Sequence, residues 1–258
     1  MADGSDRMTD LSRYGALLFD LDGVITRTAT LHAAAWKALF DNYLAEVAGR
    51  RDEPFVPFDV GTDYLLYVDG RRRYDGVDTF LRSRGIELPH GEPSDPPEAE
   101  TVCGLGNRKN AYFNERLAQL GVEVFDDTVE LIHAARRHGT KVAVVSASEN
   151  CVPILTRAGL LDLFDARVTG TEAAAWQLPG KPAPDTYLKA AELLDTPASA
   201  AVVFEDAISG VQAGRAGGFG LVVGVDRRGE AELLRTHGAD VVSGDLREFL
   251  SSLPAGPH

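Results

Sequence analysis

Short apolar runs recur along this chain, and each stops abruptly at polar or acidic residues. Runs at 15–20, 141–145, 201–204 and 221–225, with another near 166–169, read as short strands. Between them lie segments with helical spacing. One opens at Asp127, placed as an N-cap with Glu130 three residues on, carries Val129, Leu131, Ile132 and Ala135 on one face, and stops at Gly139 as the C′ residue. This alternation predicts a parallel sheet with right-handed helical crossovers. The rhythm is interrupted once. From His32 the apolar positions Trp36, Leu39, Phe40, Tyr43, Leu44 and Val47 follow a helical stripe, which reads Trp36 as packing. Residues 50–110 then lack any strand–helix alternation. They hold a loop with Pro54 and Pro57, the basic run Arg71-Arg72-Arg73, a helical piece near 77–84 and a Pro-rich loop at 89–100. A second helix with Tyr112, Phe113, Leu117 and Leu120 leads back. We expect an α/β core, residues 1–28 and 122–258, interrupted by a helical domain at 29–121.

Composition narrows the classes. With 258 residues, 44% hydrophobic and 25% charged, the chain has enough apolar content for a substantial core. A net charge of −13 argues against a nucleic-acid surface, yet a small anion needs only a local cluster of positive groups. No apolar run of about 18 residues is present, so no membrane partner is expected. The first thirteen residues are polar, lack a signal peptide's apolar core, and read as a loose arm. Cys103 and Cys151 form no disulfide framework or metal spacing, which fits a reduced, cytoplasmic setting. Gly104-Leu105-Gly106 has Lys109 where a dinucleotide fingerprint needs its third Gly.

The first strand ends in Asp20-Leu21-Asp22-Gly23, two carboxylates at the strand's carboxyl end, where parallel sheets hold ligands. Such a pair needs a metal or a divided protonation role to offset its repulsion. One carboxylate can attack a phosphoryl group while the other moves a proton. The strand at 141–145 ends in Ser146-Ala147-Ser148-Glu149-Asn150, whose hydroxyls, amide and backbone N–H groups suit a phosphate. Lys181 stands in a Pro-flanked loop before a helix that Asp185 is placed to cap, and the strand at 201–204 ends in a second acidic pair, Glu205-Asp206. Two acidic strand ends make a hard, oxygen-only donor set, which suits Mg²⁺.

Together these four stretches resemble the motifs of the haloacid dehalogenase superfamily. The continuation Ile25-Thr26-Arg27-Thr28 and His32 to Leu39 is similar to its β-phosphoglucomutase-like branch. The resemblance implies a Rossmann-like parallel sheet core with an inserted helical cap domain. It implies Asp20 as nucleophile, forming an aspartyl phosphate, and Asp22 as general acid/base whose backbone carbonyl also binds metal. Mg²⁺ would be held by Asp20, Asp22 and Asp206, with Glu205 as ligand or support. Substrate contacts are implied for Thr28, His32, Trp36, Arg73, Lys109, Ser146, Ala147, Ser148, Asn150 and Lys181. Arg73 is the match for a phosphate-gripping cap arginine on an ungapped reading of the triple-Arg run. Glu149 departs from the pattern, which commonly has Lys there, and at residues 49–69 and 86–104 the cap is longer than the pattern and does not match it residue by residue. The implied activity interconverts β-glucose 1-phosphate and glucose 6-phosphate through a 1,6-bisphosphate; the alternative is a sugar-phosphate phosphatase. A receiver-type regulatory domain is disfavoured by the Asp-x-Asp spacing and the long insertion. The expected partner is a small sugar phosphate, and the expected state a monomer.

Overall fold

The computed structural model describes residues 10–253. Of the arm expected at 1–13, residues 1–9 lie outside the described residues. Its remainder is not loose: Leu11–Arg13 forms a short 3-10 turn, Leu11 is fully buried, and its N–H donates to Ser252 Oγ at 3.3 Å. By its internal contacts the chain divides into two compact units, residues up to Arg27 together with those from Glu123 on, and Thr28–Val122. Among the described residues no helix is long and apolar enough to cross a membrane.

In chain order, strand β1 (Ala16–Phe19) is followed by the helical unit, with α1 (Ala29–Arg51), α2 (Arg73–Ser83) and α3 (Val102–Leu120). Its core is aromatic: Trp36, Phe40, Phe58 and Phe80 are buried, with ring centroids 4.1 Å apart for Phe40 and Phe80 and 4.9 Å for Phe58 and Phe80. The apolar stripe on α1 supplies this core. Helix α2 starts at Arg73, four residues before the apolar pattern at Val77 announces it, and a five-residue π turn, Tyr64–Val68, precedes it unforeseen. The Pro-rich loop at 89–100 is anchored by α3. Asn107 Nδ2 donates to the carbonyls of Pro93 and Asp95, Arg108 Nε to that of Pro97, and Thr101 Oγ1 to Asp95. These side chains give the loop's carbonyls the partners that a segment without regular structure lacks.

The first unit resumes with α4 (Asp126–Arg137), β2 (Lys141–Val145), α5 (Cys151–Ala158), β3 (Ala166–Val168), α6 (Gly170–Ala175) and α7 (Asp185–Leu193). It ends with β4 (Ala201–Glu205), α8 (Ile208–Ala216), β5 (Leu221–Val225), α9 (Ala231–Thr236) and β6 (Val241–Ser243). All six strands are parallel, in the order β3-β2-β1-β4-β5-β6. Strands β1, β4 and β5 are buried along their whole length, which is why they read as continuous apolar runs. β6 was not legible, being three residues long and paired only with β5. Two cap assignments are corrected. Phe125 occupies the N-cap of α4, and Asp127, one residue inside the helix, instead accepts hydrogen bonds from the Leu246 N–H and from Arg227. Pro184, whose ring pre-sets a helical φ, precedes α7, so Asp185 is its first residue and makes no cap. Gly139 does follow α4 with φ 76°, as a C′ glycine should.

Strand order reverses between β1 and β4: from β1 the chain adds strands on one side, then on the other. Such a switch point leaves a crevice beyond the carboxyl ends of the two strands. β1 leads directly into Asp20 and β4 ends at Glu205, the two strands being in register at Phe19 and Phe204.

Candidate active site

Asp20 is held by the sheet itself. Its N–H donates to the Phe204 carbonyl at 3.0 Å, so the residue continues the β1–β4 ladder by one position and is 6% exposed. After it the chain closes into a tight loop. The Ile25 and Thr26 N–H groups donate to the Leu21 carbonyl, Gly23 N–H to that of Thr26, and Thr128 Oγ1 pins the Val24 carbonyl at 2.7 Å. Gly23 is required twice over: it has φ 93°, and a Cβ there would lie 2.0 Å from Asp206 Oδ2. Asp22 is half-buried at the head of this loop.

Lys181 meets Asp20 from the segment before α7. Its Nζ lies 2.5 Å from Asp20 Oδ1, also bonds Glu205 Oε1, and donates to the Val145 carbonyl at 3.3 Å. Glu205 is wholly buried and fully engaged. Tyr187 Oη donates to its Oε1 at 2.9 Å and the Ala207 N–H to its Oε2 at 3.1 Å. Gly210 leaves room for that carboxylate, since a Cβ there would fall 1.8 Å from Oε1. Burial works against the Lys181 charge, but Asp20 and Glu205 outweigh it and hold the ammonium above its ordinary value. For Asp20, burial pushes the carboxyl well up, Lys181 pulls it back, and Glu205 and Asp22 push it up again. Negative charge therefore exceeds positive at this strand end.

Asp20, Glu205 and Asp206 are all buried, and each can bring one carboxylate oxygen within 4.8 Å of the others. Buried oxygens with a surplus of negative charge are what a hard divalent cation binds, so the residues fit such an ion. The Asp22 carboxylate is not part of this group.

Ser146 continues β2 by one position, its N–H donating to the Val168 carbonyl at 3.0 Å, and is 3% exposed. The loop after it is a chain of short turns: Ser148 N–H donates to Ser146 Oγ and Asn150 N–H to Ser148 Oγ, both at 3.1 Å. Gly170 permits close approach of α6, because a Cβ would lie 2.6 Å from the Ala147 carbonyl oxygen. Glu149 is an exposed residue of this loop. Cys151, just beyond, is a free buried thiol pushed well up by burial and then by Asp22 and Asp20, so it stays protonated and inert.

The helical unit assembles its own cluster. Lys109 Nζ lies 2.6 Å from His32 Nδ1, 4.9 Å over the Trp36 ring and 5.2 Å over Phe113, while His32 stacks on Phe113 at 4.1 Å. With Lys109 as an ammonium, Nδ1 is the accepting nitrogen of this pair. Trp36 is 3% exposed and stacks on Phe40, so it packs and forms a wall for Lys109. Thr28 is the buried N-cap residue of α1. The triple-Arg run is not a solvated face. Arg72 pairs with Asp75 at 2.8 Å, Arg73 lies 5.0 Å over Tyr74 with Nη2 3.3 Å from its hydroxyl, and burial pulls the Arg71 pKa down. Tyr74 in turn donates to Asn107 Oδ1 at 2.9 Å and packs on Gly106.

The structure thus gathers Asp20, Lys181, Glu205 and Asp206 in the first unit, with Ser146 on the neighbouring strand end, and His32, Trp36 and Lys109 in the second. Sequence reasoning missed Tyr187 and Arg228. The Arg228 guanidinium donates to the Asp206 carbonyl at 3.2 Å.

Comparison with known proteins gives a consistent result. Residues 14–218 match the model of the haloacid dehalogenase-like hydrolases. A β-phosphoglucomutase of Mycobacterium bovis is 54% identical over 238 residues, covering 91% of each chain. One from Bacillus subtilis is 32% identical over 228 residues, covering 88% of each. Among solved structures, the β-phosphoglucomutase of Clostridium difficile superposes with a TM-score of 0.71 at 24% identity, over 91% of this chain and 92% of that one, a likeness of fold.

Proposed function

The chain belongs to the haloacid dehalogenase-like hydrolase family, and on that footing we propose that it is a β-phosphoglucomutase, interconverting β-D-glucose 1-phosphate and glucose 6-phosphate. Kinship to the mycobacterial enzyme along nearly the whole chain carries this reading. The strand-end cluster supplies its chemistry. Phosphorylated Asp20 gives its phosphoryl group to the free sugar hydroxyl while Asp22 takes the hydroxyl proton, which yields the 1,6-bisphosphate. The bisphosphate turns over. Asp20 then attacks the other phosphorus, the bond to the sugar oxygen breaks, and Asp22 returns the proton to that oxygen.

Lys181 and Ser146 stabilise the charge on the transferring group, and the Ser148 and Asn150 loop orients it. Mg²⁺ suits the donor set, and when bound it neutralises charge on the phosphoryl oxygens. We assign it to Asp20, Asp206 and the Asp22 carbonyl. Glu205, with both oxygens engaged by donors, anchors Lys181. The helical unit acts as the cap in this reading. Its Arg73, Lys109 and His32, with Thr28 and Trp36 as supports, recognise the phosphate that is not reacting.

Chelation with EDTA is expected to lower turnover about 100-fold, and added Mg²⁺ to restore it, measured as glucose 6-phosphate formation. The core residues would serve a phosphatase equally well, so product partition is the test of the mutase reading. Incubation with β-glucose 1-phosphate, Mg²⁺ and trace bisphosphate should yield glucose 6-phosphate in large excess over inorganic phosphate. Arg73→Ala should depress isomerisation roughly ten- to a hundredfold, the loss of one charge-assisted contact of about 1.5–3 kcal/mol. Hydrolysis of the aspartyl phosphate should change less, and Arg73→Lys should recover only part, since an ammonium lacks the guanidinium fork. Wild type releasing mainly phosphate would replace the mutase by the phosphatase.

A further inference from the structure

We propose that Thr128 and Arg227 are positioning residues for Asp22, a relay of hydrogen bonds that fixes the loop on which the general acid/base is carried. The loop closes on itself through one acceptor. The Leu21 carbonyl takes the Ile25 and Thr26 N–H groups at 2.9 Å each and Thr26 Oγ1 at 3.2 Å. Those bonds set its shape, but they move with it. Its place is set from outside. On entry the Asp20 N–H is bonded to the Phe204 carbonyl. On exit a single segment, 123–128, takes over. The Phe125 N–H donates to the Ile25 carbonyl at 2.9 Å, the Arg27 N–H to the Glu123 carbonyl at 2.9 Å, and Thr128 Oγ1 to the Val24 carbonyl at 2.7 Å. Asp22 lies midway between the anchors at Asp20 and Val24.

Thr128 is fully buried, and its hydroxyl has one hydrogen to give. Arg227 Nη2, from the loop after β5, donates to Thr128 Oγ1 at 3.1 Å, which occupies a lone pair and leaves the hydroxyl hydrogen for the Val24 carbonyl. The arginine is itself held from several sides. The same Nη2 lies 2.8 Å from Asp127 Oδ2, Nη1 donates to the Gly244 carbonyl at 2.6 Å, and the guanidinium carbon lies 4.1 Å from the Phe125 ring centroid. Asp127 is 5% exposed and is fixed in turn by the Leu246 N–H at 2.8 Å. A guanidinium suits this post because its rigid fork serves all three acceptors, Asp127, Thr128 and Gly244, in one geometry. A general acid/base delivers its rate only when held within hydrogen-bond reach of the oxygen it serves. Thr128 and Arg227 act on Asp22 through the Val24 carbonyl, which makes them positioning residues and not catalytic ones.

The premise is the acid/base role given to Asp22 above, and the test separates premise from consequence. Two reactions of the full-length protein in Mg²⁺ buffer are compared. Turnover of β-glucose 1-phosphate with trace bisphosphate moves a proton at the sugar oxygen in each transfer. With acetyl phosphate, an Asp20 oxygen attacks phosphorus and the bond to the acyl oxygen breaks. Acetate then leaves as an anion and no proton is needed; mass spectrometry of the quenched protein gives the rate. Thr128→Val keeps the shape and removes the hydroxyl. It should lower kcat for the sugar about five- to thirtyfold, less than the roughly 10²-fold that a 1 Å misplacement can cost, with KM within about twofold. Its acetyl phosphate rate should stay within about twofold of wild type, which a general loss of structure would not allow. Thr128→Ser should recover most of the sugar rate. Arg227→Lys keeps the charge against Asp127 but not the fork, and should lower kcat about two- to tenfold with the same selectivity. The double variant Thr128→Val/Arg227→Lys should match Thr128→Val within about twofold, since one relay is broken only once. Parallel loss of both reactions, multiplying losses in the double variant, or an unchanged kcat in Thr128→Val overturns the relay alone when Asp22→Asn still lowers the sugar rate about 100-fold or more. Unchanged sugar turnover in Asp22→Asn removes the premise, and the relay's role with it.

Discussion

Asp20→Asn should lower isomerisation by roughly 10⁴-fold or more, the scale seen when a catalytic nucleophile is removed. An amide has the shape of the carboxylate but cannot form the acyl phosphate. The fold should survive, because what holds residue 20 in place is its backbone bond to the Phe204 carbonyl, which the substitution leaves alone. Stability should hold as well. Burial already pushes the Asp20 carboxyl well above its ordinary value, so the protein gains little from that charge, and Lys181 keeps Glu205 as its partner. Two measurements check this: glucose 6-phosphate formation, and mass spectrometry of the protein after brief exposure to the bisphosphate. The variant should show no phosphorylated species and a melting temperature no lower than wild type by more than a few degrees. Turnover within about tenfold of wild type, at unchanged circular dichroism, would take the nucleophile's role away from Asp20.

What could be read in advance follows from range along the chain. The acidic strand ends were legible because strand, carboxylates and turn are contiguous, as in Phe19-Asp20-Leu21-Asp22-Gly23. Lys181 was legible by resemblance, its prolines fixing the segment. Its environment was not. Tyr187 reads as an ordinary apolar position on α7, and its hydroxyl has meaning only because Glu205, from another strand, ends 2.9 Å away. Gly210 belongs to the resemblance around the second acidic pair, but the reason for a glycine there shows only when the Glu205 carboxylate is placed against it. Arg228 carries no motif at all; its place beside the Asp206 carbonyl comes from a loop geometry set by Asp226. The cap lysine shows the opposite case. Lys109 was named by resemblance, while the wall of Trp36, Phe113 and His32 that desolvates it came from helices α1 and α3 packing together. The loops at 52–63 and 86–104 offered no periodicity to read, and they are shaped by single side chains such as Asp41, which accepts the Phe58 N–H at 2.8 Å, and Asn107.

Lys181→Met should be the most damaging of these changes to stability, and should impair catalysis as well. Lys181 is 3% exposed and the ammonium shared by Asp20 and Glu205, themselves 6% and 0% exposed. Breaking a buried ion pair by removing one partner typically costs about 3–5 kcal/mol, because the other charge stays buried without compensation. Turnover should fall about 10³-fold, the upper scale for loss of one electrostatic stabiliser of a transition state. The pH dependence distinguishes this cause from simple mispacking. The Asp20 carboxyl already sits above its ordinary 3.8 in the folded protein, and Lys181 is the group that pulls it down, so the variant raises it further. A carboxyl raised in the folded state takes up a proton on folding, and stability then falls as pH rises from that ordinary value through the raised one. The Lys181 ammonium itself is held above its ordinary 10.5, so its contribution is constant across the neutral range. In EDTA, the stability difference between wild type and Lys181→Met should therefore be smaller near pH 5 than near pH 8, measured by urea denaturation. A difference below about 1 kcal/mol, or one that is equal at the two pH values, would mean that Asp20, Lys181 and Glu205 do not act as one buried charge unit.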